Sequence, residues 1–226
     1  MSDVPRSERF DDVYFSVEDG LAETRHVFLD GNGLPELWSG HDDFAICETG
    51  FGTGLNLLAV LHLWRHSAER PQNLHFISYE KYPVSRDYIS QYLSRWDTLG
   101  SELEALLACY PEQPSGSDLE FTLFDCVRVS VRFGDVNVLM PDMNETVDCW
   151  FLDGFTPAKN PDMWSDTVFQ AMGDNSREGT RFATFTAAGF VKRGLMQAGF
   201  DVRKVKGFGR KRDMLVGTYM GESDAD

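Results

Sequence analysis

No stretch of this sequence is apolar for long enough to cross a bilayer, which takes about 20 residues in a helix. The opening residues, MSDVPRSERFDD, lack the charged-then-apolar layout of a secretory signal, so a cytoplasmic chain with no membrane partner is expected. Cysteine is scarce. Cys47, Cys109, Cys126 and Cys149 show no CxxC spacing, which argues against a zinc site or a structural disulfide. Three of the four fall in apolar segments and are expected to pack as small buried hydrophobes. The five histidines are dispersed without a ligand pattern, so no metal is expected. Cations are outnumbered, 21 Lys and Arg against 36 Asp and Glu, for a net charge of −15. That balance alone disfavours non-specific binding to nucleic acid, whose phosphates are met mostly by Lys and Arg.

The few cations are not evenly spread. Lys192, Arg193, Arg203, Lys204, Lys206, Arg210, Lys211 and Arg212 form one cluster near the end of the chain. A local basic face on an acidic body suits a single anionic partner. With 42% hydrophobic residues over 226 positions, the chain can bury a core of one sizeable domain.

Residues 1–40 read as an extension with turns and two strand-like stretches, DVYFSV (12–17) and TRHVFL (24–29). Beyond it, apolar runs alternate with helical periodicity. Strands are expected at DDFAICE (42–48), NLHFISYE (73–80), EFTLFD (120–125), CVRVSVRFGD (126–135), TVDCWFLDGF (146–155) and TRFATFTA (180–187). A final pair is expected about a basic turn in 200–220. Helices are expected at 53–67, 83–109, 160–173 and 187–199, the third with Asn160 as cap and Pro161 in the first turn. Such alternation predicts a doubly wound, Rossmann-like α/β fold. Its sheet is mostly parallel, and the terminal strand is antiparallel because its turn is too short for a crossover.

Ligands of open α/β sheets bind at the carboxyl ends of the strands. Four acidic features fall there: the loop Glu48-Thr49-Gly50-Phe51-Gly52-Thr53-Gly54, then Glu80, Asp135 and Asp153. The loop lacks the Lys of a GxxxxGK[ST] phosphate cradle, and Leu55 breaks the GxGxxG pattern of dinucleotide sites. Glu48 at the strand end also opposes a pyrophosphate, which makes a nicotinamide dehydrogenase a poor reading. A carboxylate about 30 residues after the loop suits ribose hydroxyls, and Asp135 suits an adenine amino group. An adenosine with a positive centre and no phosphate is S-adenosylmethionine.

Five segments, FDDVYFS, ETGFGTGLN, DGFTPAKNPDMW, TFTAAGFVKRGL and KGFGRKRDML, resemble in this order the methyltransferase domain of MnmC, the bifunctional enzyme of tRNA 5-methylaminomethyl-2-thiouridine synthesis. The resemblance spans Phe10 to Tyr219. It implies a class I S-adenosylmethionine-dependent methyltransferase with a seven-stranded sheet, methylating the aminomethyl nitrogen on the wobble uridine of tRNA. It divides the chain into an extension over 1–40 on the substrate side, a methyltransferase domain over 41–220 and an acidic tail over 221–226. The chain has no room for the FAD-dependent oxidoreductase of bifunctional members, which is expected to act upstream as another domain or protein.

Asp153 is then the expected catalytic group, holding the amine and taking its proton. The expected cofactor contacts are Glu48, Gly50, Phe51, Gly52, Thr53, Gly54, Asn56, Glu80, Lys81, Asp135 and Asp153. Substrate contacts are expected from Asp12, Tyr14, Phe15, Phe155, Pro157, Lys159, Asn160 and Trp164, with Arg210, Lys211 and Arg212 on phosphates. Two other readings stay open: an N-methyltransferase for a small amine, and a non-catalytic tRNA-binding scaffold.

Overall fold

A computed structural model describes residues 4–16, 19–116 and 118–221. The acidic tail expected over 221–226 therefore lies almost wholly outside the described residues. The apolar runs form the sheet. β3 (Asp43–Thr49), β4 (Asn73–Glu80), β6 (Val127–Phe133), β7 (Val147–Phe151) and β8 (Ser176–Thr184) lie parallel in the order β6-β4-β3-β7-β8. Their centres are buried on both faces, which is why they read as near-continuous Val, Ile, Phe and Cys rather than as alternation.

β9 (Phe200–Lys206) and β10 (Asp213–Tyr219) close one edge, with β10 antiparallel to both β8 and β9 as expected. The other edge corrects the strand count. β5 (Leu119–Leu123) pairs antiparallel with β6, so the sheet has eight strands rather than seven. The turn between them places Phe124 and Asp125 at positive φ, 50° and 62°, with no glycine to mark it in the sequence.

Helices cover both faces. α2 (Leu55–His66) follows the glycine loop, and its buried residues include Leu57, Leu58, Leu61 and Trp64. Residues 83–109 are not one helix but α3 (Arg86–Leu93), a 3₁₀ turn at Asp97–Leu99 and α4 (Gly100–Cys109). Further along come the short α5 (Val136–Leu139), then α6 (Asp166–Asp174) and α7 (Gly189–Gln197). The expected cap of α6 is also corrected. Asn160 and Pro161 open a separate 3₁₀ turn, and Ser165 caps α6 by accepting from Val168 N–H. β8 starts at Ser176, four residues before the expected TRFATFTA, so the charged segment at 176–179 is also strand.

The extension differs most from expectation. Of the described part of DVYFSV, Asp12–Val13 is strand (β2), paired with Arg6–Ser7 (β1) in a small separate hairpin, and residues 14–16 are not; Val17 lies outside the described residues. TRHVFL is helical: α1 (Gly20–Thr24) runs on into a π-helical turn, Arg25–Asp30. Val27, Phe28 and Leu29 are driven against the sheet there, and the Phe28 ring stacks on Phe151 at 5.2 Å. Burial of that apolar face outweighs the β-propensity of the segment. Cys47 and Cys149 are buried, whereas Cys109 and Cys126 are exposed, one fewer buried cysteine than expected. All four are free thiols. No helix among the described residues is long and apolar enough to cross a membrane.

Candidate active site

The chain reverses its winding direction at β3, whose neighbours β4 and β7 carry it to opposite edges. The carboxyl ends of β3, β4, β6 and β7 open there onto one cavity of about 510 Å³, lined by the glycine loop, Glu80, Asp135 and Asp153. Such a crevice is where doubly wound sheets hold ligands, and its size falls in the usual range of roughly 300–1,000 Å³.

The loop spends its N–H groups on the protein. Gly50 and Phe51 donate to Tyr79 O at 2.9 and 3.2 Å, and Gly54 donates to Phe51 O at 2.8 Å. Gly52 N–H donates to Glu80 Oε2 at 2.8 Å, while Glu80 Oε1 accepts from Tyr82 N–H at 2.7 Å. A phosphate needs free amides at such a loop, and these are taken. The glycines serve close packing instead. At Gly52, φ is +53° and a Cβ would stand 3.2 Å from the Tyr14 ring. At Gly50, φ is +92° and a Cβ would meet Gly154 Cα at 3.4 Å.

Asp153 lies two residues beyond the end of β7, not at the strand end, and its backbone is pinned by Thr49. Thr49 Oγ1 donates to Asp153 O at 2.7 Å and accepts from Asp153 N–H at 3.1 Å. The carboxylate accepts from Gly154 N–H at 2.7 Å and from Asn56 Nδ2 at 2.7 Å. Desolvation outweighs these bonds and pushes the Asp153 carboxyl up to about 7. Asn56 Nδ2 also donates to Glu48 Oε1 at 2.8 Å, and its Oδ1 accepts from Thr24 Oγ1 at 3.0 Å. One buried amide thus links two carboxylates.

Glu48 itself is not on the cavity wall. It is 1% exposed, bonded to Asn56 and Ser78, and burial pushes it up to about 8. Its expected place as a cofactor contact is corrected to a buried support behind Asn56. Gly54 likewise lies off the wall, a Cβ there meeting Phe51 at 3.0 Å. Gly50, Phe51, Gly52, Thr53, Asn56, Glu80, Lys81 and Asp135 do line the cavity. Lys81 Nζ bonds Asp135 Oδ2 at 2.6 Å, and this bond holds the Asp135 carboxyl below its ordinary range.

The roof is aromatic and comes largely from the first hairpin. Phe155 stacks on Phe10 at 4.7 Å and meets Tyr14 edge-on at 5.2 Å, and burial pushes the Tyr14 hydroxyl up to about 12. Asp12 fastens the hairpin, its Oδ2 accepting from Thr156 N–H and Oγ1, both at 3.0 Å. Lys159 bonds the Asp11 carbonyl and lies 3.7 Å from Asp12 Oδ1, a clamp on the roof and not a cavity contact. Phe15, Asn160, Arg210 and Lys211 reach the cavity. Trp164, Pro157 and Arg212 do not. Trp164 is 3% exposed and donates to Phe155 O at 3.0 Å, so it props the roof from behind. Sequence reasoning missed Phe10, Glu23, Tyr82, Phe185 and Phe208, all on the wall. Glu23 pairs with Lys211 at 2.7 Å across 188 residues, a distance no local pattern reports.

A family model described as S-adenosyl-L-methionine-dependent methyltransferase matches residues 97–220, more than half of the chain, taking in Asp135 and Asp153. The chain belongs to this family. The methyltransferase is also similar to two proteins named tRNA 5-methylaminomethyl-2-thiouridine biosynthesis bifunctional protein MnmC. The Idiomarina loihiensis relative is 46% identical over 96% of this chain and 37% of its own length. The Methylobacillus flagellatus relative is 48% identical over 95% of this chain and 34% of its own. This methyltransferase therefore spans about a third of the curated relatives it matches. Among solved structures, MnmC2 from Aquifex aeolicus superposes with a TM-score of 0.72 at 21% identity, covering 96% of this chain and 67% of that one. A Pyrococcus furiosus methyltransferase gives 0.53 at 15%, covering 96% and 89%. These two likenesses establish the fold. The cavity fits the family's cofactor on chemical grounds: its wall offers carboxylates to hydroxyls, an amino group and a cation, and the amides of Gly50, Phe51, Gly52 and Gly54 are committed within the protein.

Proposed function

We propose that this methyltransferase methylates the aminomethyl nitrogen at C5 of the wobble uridine or 2-thiouridine of tRNA, giving 5-methylaminomethyl-2-thiouridine. The observation that carries this reading is Asp153, a carboxylate raised to about 7 on the wall of a cavity roofed by Phe155, Phe10 and Tyr14. The name of the two MnmC relatives, similar over nearly the whole chain, supports the substrate.

In this reading Glu80 accepts from the ribose hydroxyls, Asp135 from the adenine amino group, and the loop at 50–53 borders the methionine portion. When bound, S-adenosylmethionine supplies an electrophilic methyl group. Asp153 orients the amine by a hydrogen bond and receives its proton on a carboxylate oxygen, which keeps the nitrogen lone pair available. The Phe155 and Tyr14 rings offer faces to the uracil. Arg210, Lys211 and Arg212 meet tRNA phosphates. Residues 1–40 belong to the substrate side, 41–220 form the methyltransferase domain, and an FAD-dependent oxidoreductase domain or protein furnishes the amine. A reaction on tRNA places the chain in the cytoplasm.

The test is transfer of labelled methyl from S-adenosylmethionine to tRNA whose wobble uridine carries the aminomethyl group. Cofactor binding without incorporation moves the reaction to another amine. Glu80→Ala is expected to raise the cofactor Kd about tenfold or more by calorimetric titration, since it removes a charged acceptor and frees Gly52 N–H. Arg210→Glu with Arg212→Glu is expected to lower kcat/KM for tRNA. It should also flatten the salt dependence, the logarithmic slope falling by about one for each phosphate no longer neutralised. A small-amine enzyme would show neither change.

A further inference from the structure

Beside the cavity lies a second, shallower groove that shares Thr156, Phe185 and Lys211 with it. Its floor is apolar, built from Pro157, Ala158, Ala187 and Ala188, and Phe190 stands on its side. Phe190, in the first turn of α7, is 43% exposed. Only one other Phe, Tyr or Trp among the described residues is comparably exposed, Tyr82 at 37%. Tyr82 is engaged, with the Arg9 guanidinium 4.2 Å from its centroid and Phe10 at 5.7 Å. Phe190 has no ring partner among the described residues.

Cations stand at this groove although the chain as a whole is strongly acidic. Lys211 Nζ lies 4.6 Å above the Phe185 ring, on the ridge between cavity and groove, where it shares its charge with Glu23 at 2.7 Å. The Arg193 guanidinium folds back over Gly189, one residue from Phe190, with Nη1 3.3 Å from where a Gly189 Cβ would sit. Arg193 makes no ion pair among the described residues. An exposed ring on an apolar floor, flanked by cations and continuous with a cavity for a nucleobase, matches single-stranded RNA in both its parts. Bases stack on the ring and phosphates meet the cations.

We propose that this groove is a nucleotide subsite, in which a base adjacent to the target uridine stacks on Phe190 while Arg193 and Lys211 hold the intervening phosphates. The proposal rests on the tRNA reading given above and adds how the flanking strand is held. Unstacking the loop to place one base in the cavity leaves its neighbour without a stacking partner, and Phe190 replaces that partner.

The test uses anticodon stem-loop RNAs carrying 2-aminopurine on either side of the target uridine. Binding to the wild-type protein quenches the emission of one of them. Phe190→Ala relieves the quenching and weakens RNA binding by roughly tenfold, the scale of one base–aromatic stack, and Phe190→Trp restores both. The ring is exposed, so neither change disturbs the core. RNA that binds with emission unchanged in both probes, or Phe190→Ala that binds as tightly as wild type, overturns the subsite. A groove that takes a polypeptide instead leaves both readouts flat. Methyl transfer is scored separately: quenching without transfer keeps the subsite and overturns the reaction, and transfer without quenching does the reverse.

Discussion

On the proposed reading, Asp153→Asn is expected to lower kcat for methyl transfer to aminomethyl tRNA by roughly two to four orders of magnitude, the usual worth of a positioned general base. Asparagine keeps the shape but only one acceptor oxygen, so it retains one of the two bonds from Gly154 N–H and Asn56 Nδ2, and it cannot take up the proton. The pH profile separates this loss from a loss of shape. Burial holds the Asp153 carboxyl at about 7, so in the wild type kcat/KM rises with pH through that value as the carboxylate forms. With a cationic ligand beside it the same carboxyl titrates lower, so the inflection in kcat lies below that in kcat/KM. In Asp153→Asn both inflections disappear. A variant that keeps the wild-type rate and profile would remove Asp153 from the chemistry.

The second large effect concerns stability. Glu48 is buried and raised from 4.5 to about 8, chiefly by desolvation, and the Asp153 and Glu80 carboxyls beside it are raised too. A carboxyl whose folded value exceeds its unfolded one binds more protons in the folded state. Its stabilising contribution is complete below about 4.5 and is lost as pH rises to about 8, at about 1.4 kcal/mol per pH unit. The ligand-free protein is therefore expected to lose stability in denaturant titrations between those limits. Glu48→Gln removes the Glu48 part of that slope. Its amide accepts from Asn56 and turns its NH₂ to the Ser78 hydroxyl. Stability at pH 8 is expected to rise by on the order of 4 kcal/mol, with little change at pH 5. An unchanged slope would mean that Glu48 is ionised and solvated in the folded protein.

The parts of the site carried by strand ends were legible because the sequence states them twice, once as an apolar run and again as the acidic or glycine residue that stops it. Glu80, Asp135 and the glycine loop were found in this way. Asp153 was found too, although β7 stops two residues earlier: Leu152 N–H still donates to Ala183 O, while Asp153 turns aside to Thr49. What stayed hidden depends on contacts far apart in the chain. TRHVFL carries β-forming residues, and only the sheet face beneath Phe28 makes it helical. Thr24 and Glu23 consequently enter the site from a segment that local pattern assigned elsewhere. Trp164 has the composition of a substrate contact, but its indole N–H is committed to the Phe155 carbonyl. The eighth strand was legible as EFTLFD, and only the count of seven implied by the resemblance left it out; the turn after it holds Phe124 and Asp125 in a conformation usually left to glycine.

The bonding of the loop amides has a consequence for competition inside a cell. Adenine nucleotides greatly outnumber other adenosine compounds there, and many pockets that grip adenosine are inhibited by them. Here Gly52 N–H already faces a carboxylate, so on the proposed cofactor placement a nucleotide would bring its phosphates toward Glu80 and Asp153, with the Gly50, Phe51, Gly52 and Gly54 amides already committed. On the proposed cofactor placement the cavity is expected to disfavour that intruder by the same bonds that shape it. The uncharged thioether left after methyl transfer keeps the adenosine contacts and is expected to compete with the cofactor, so clearance of that product is expected to govern turnover more than nucleotide levels do.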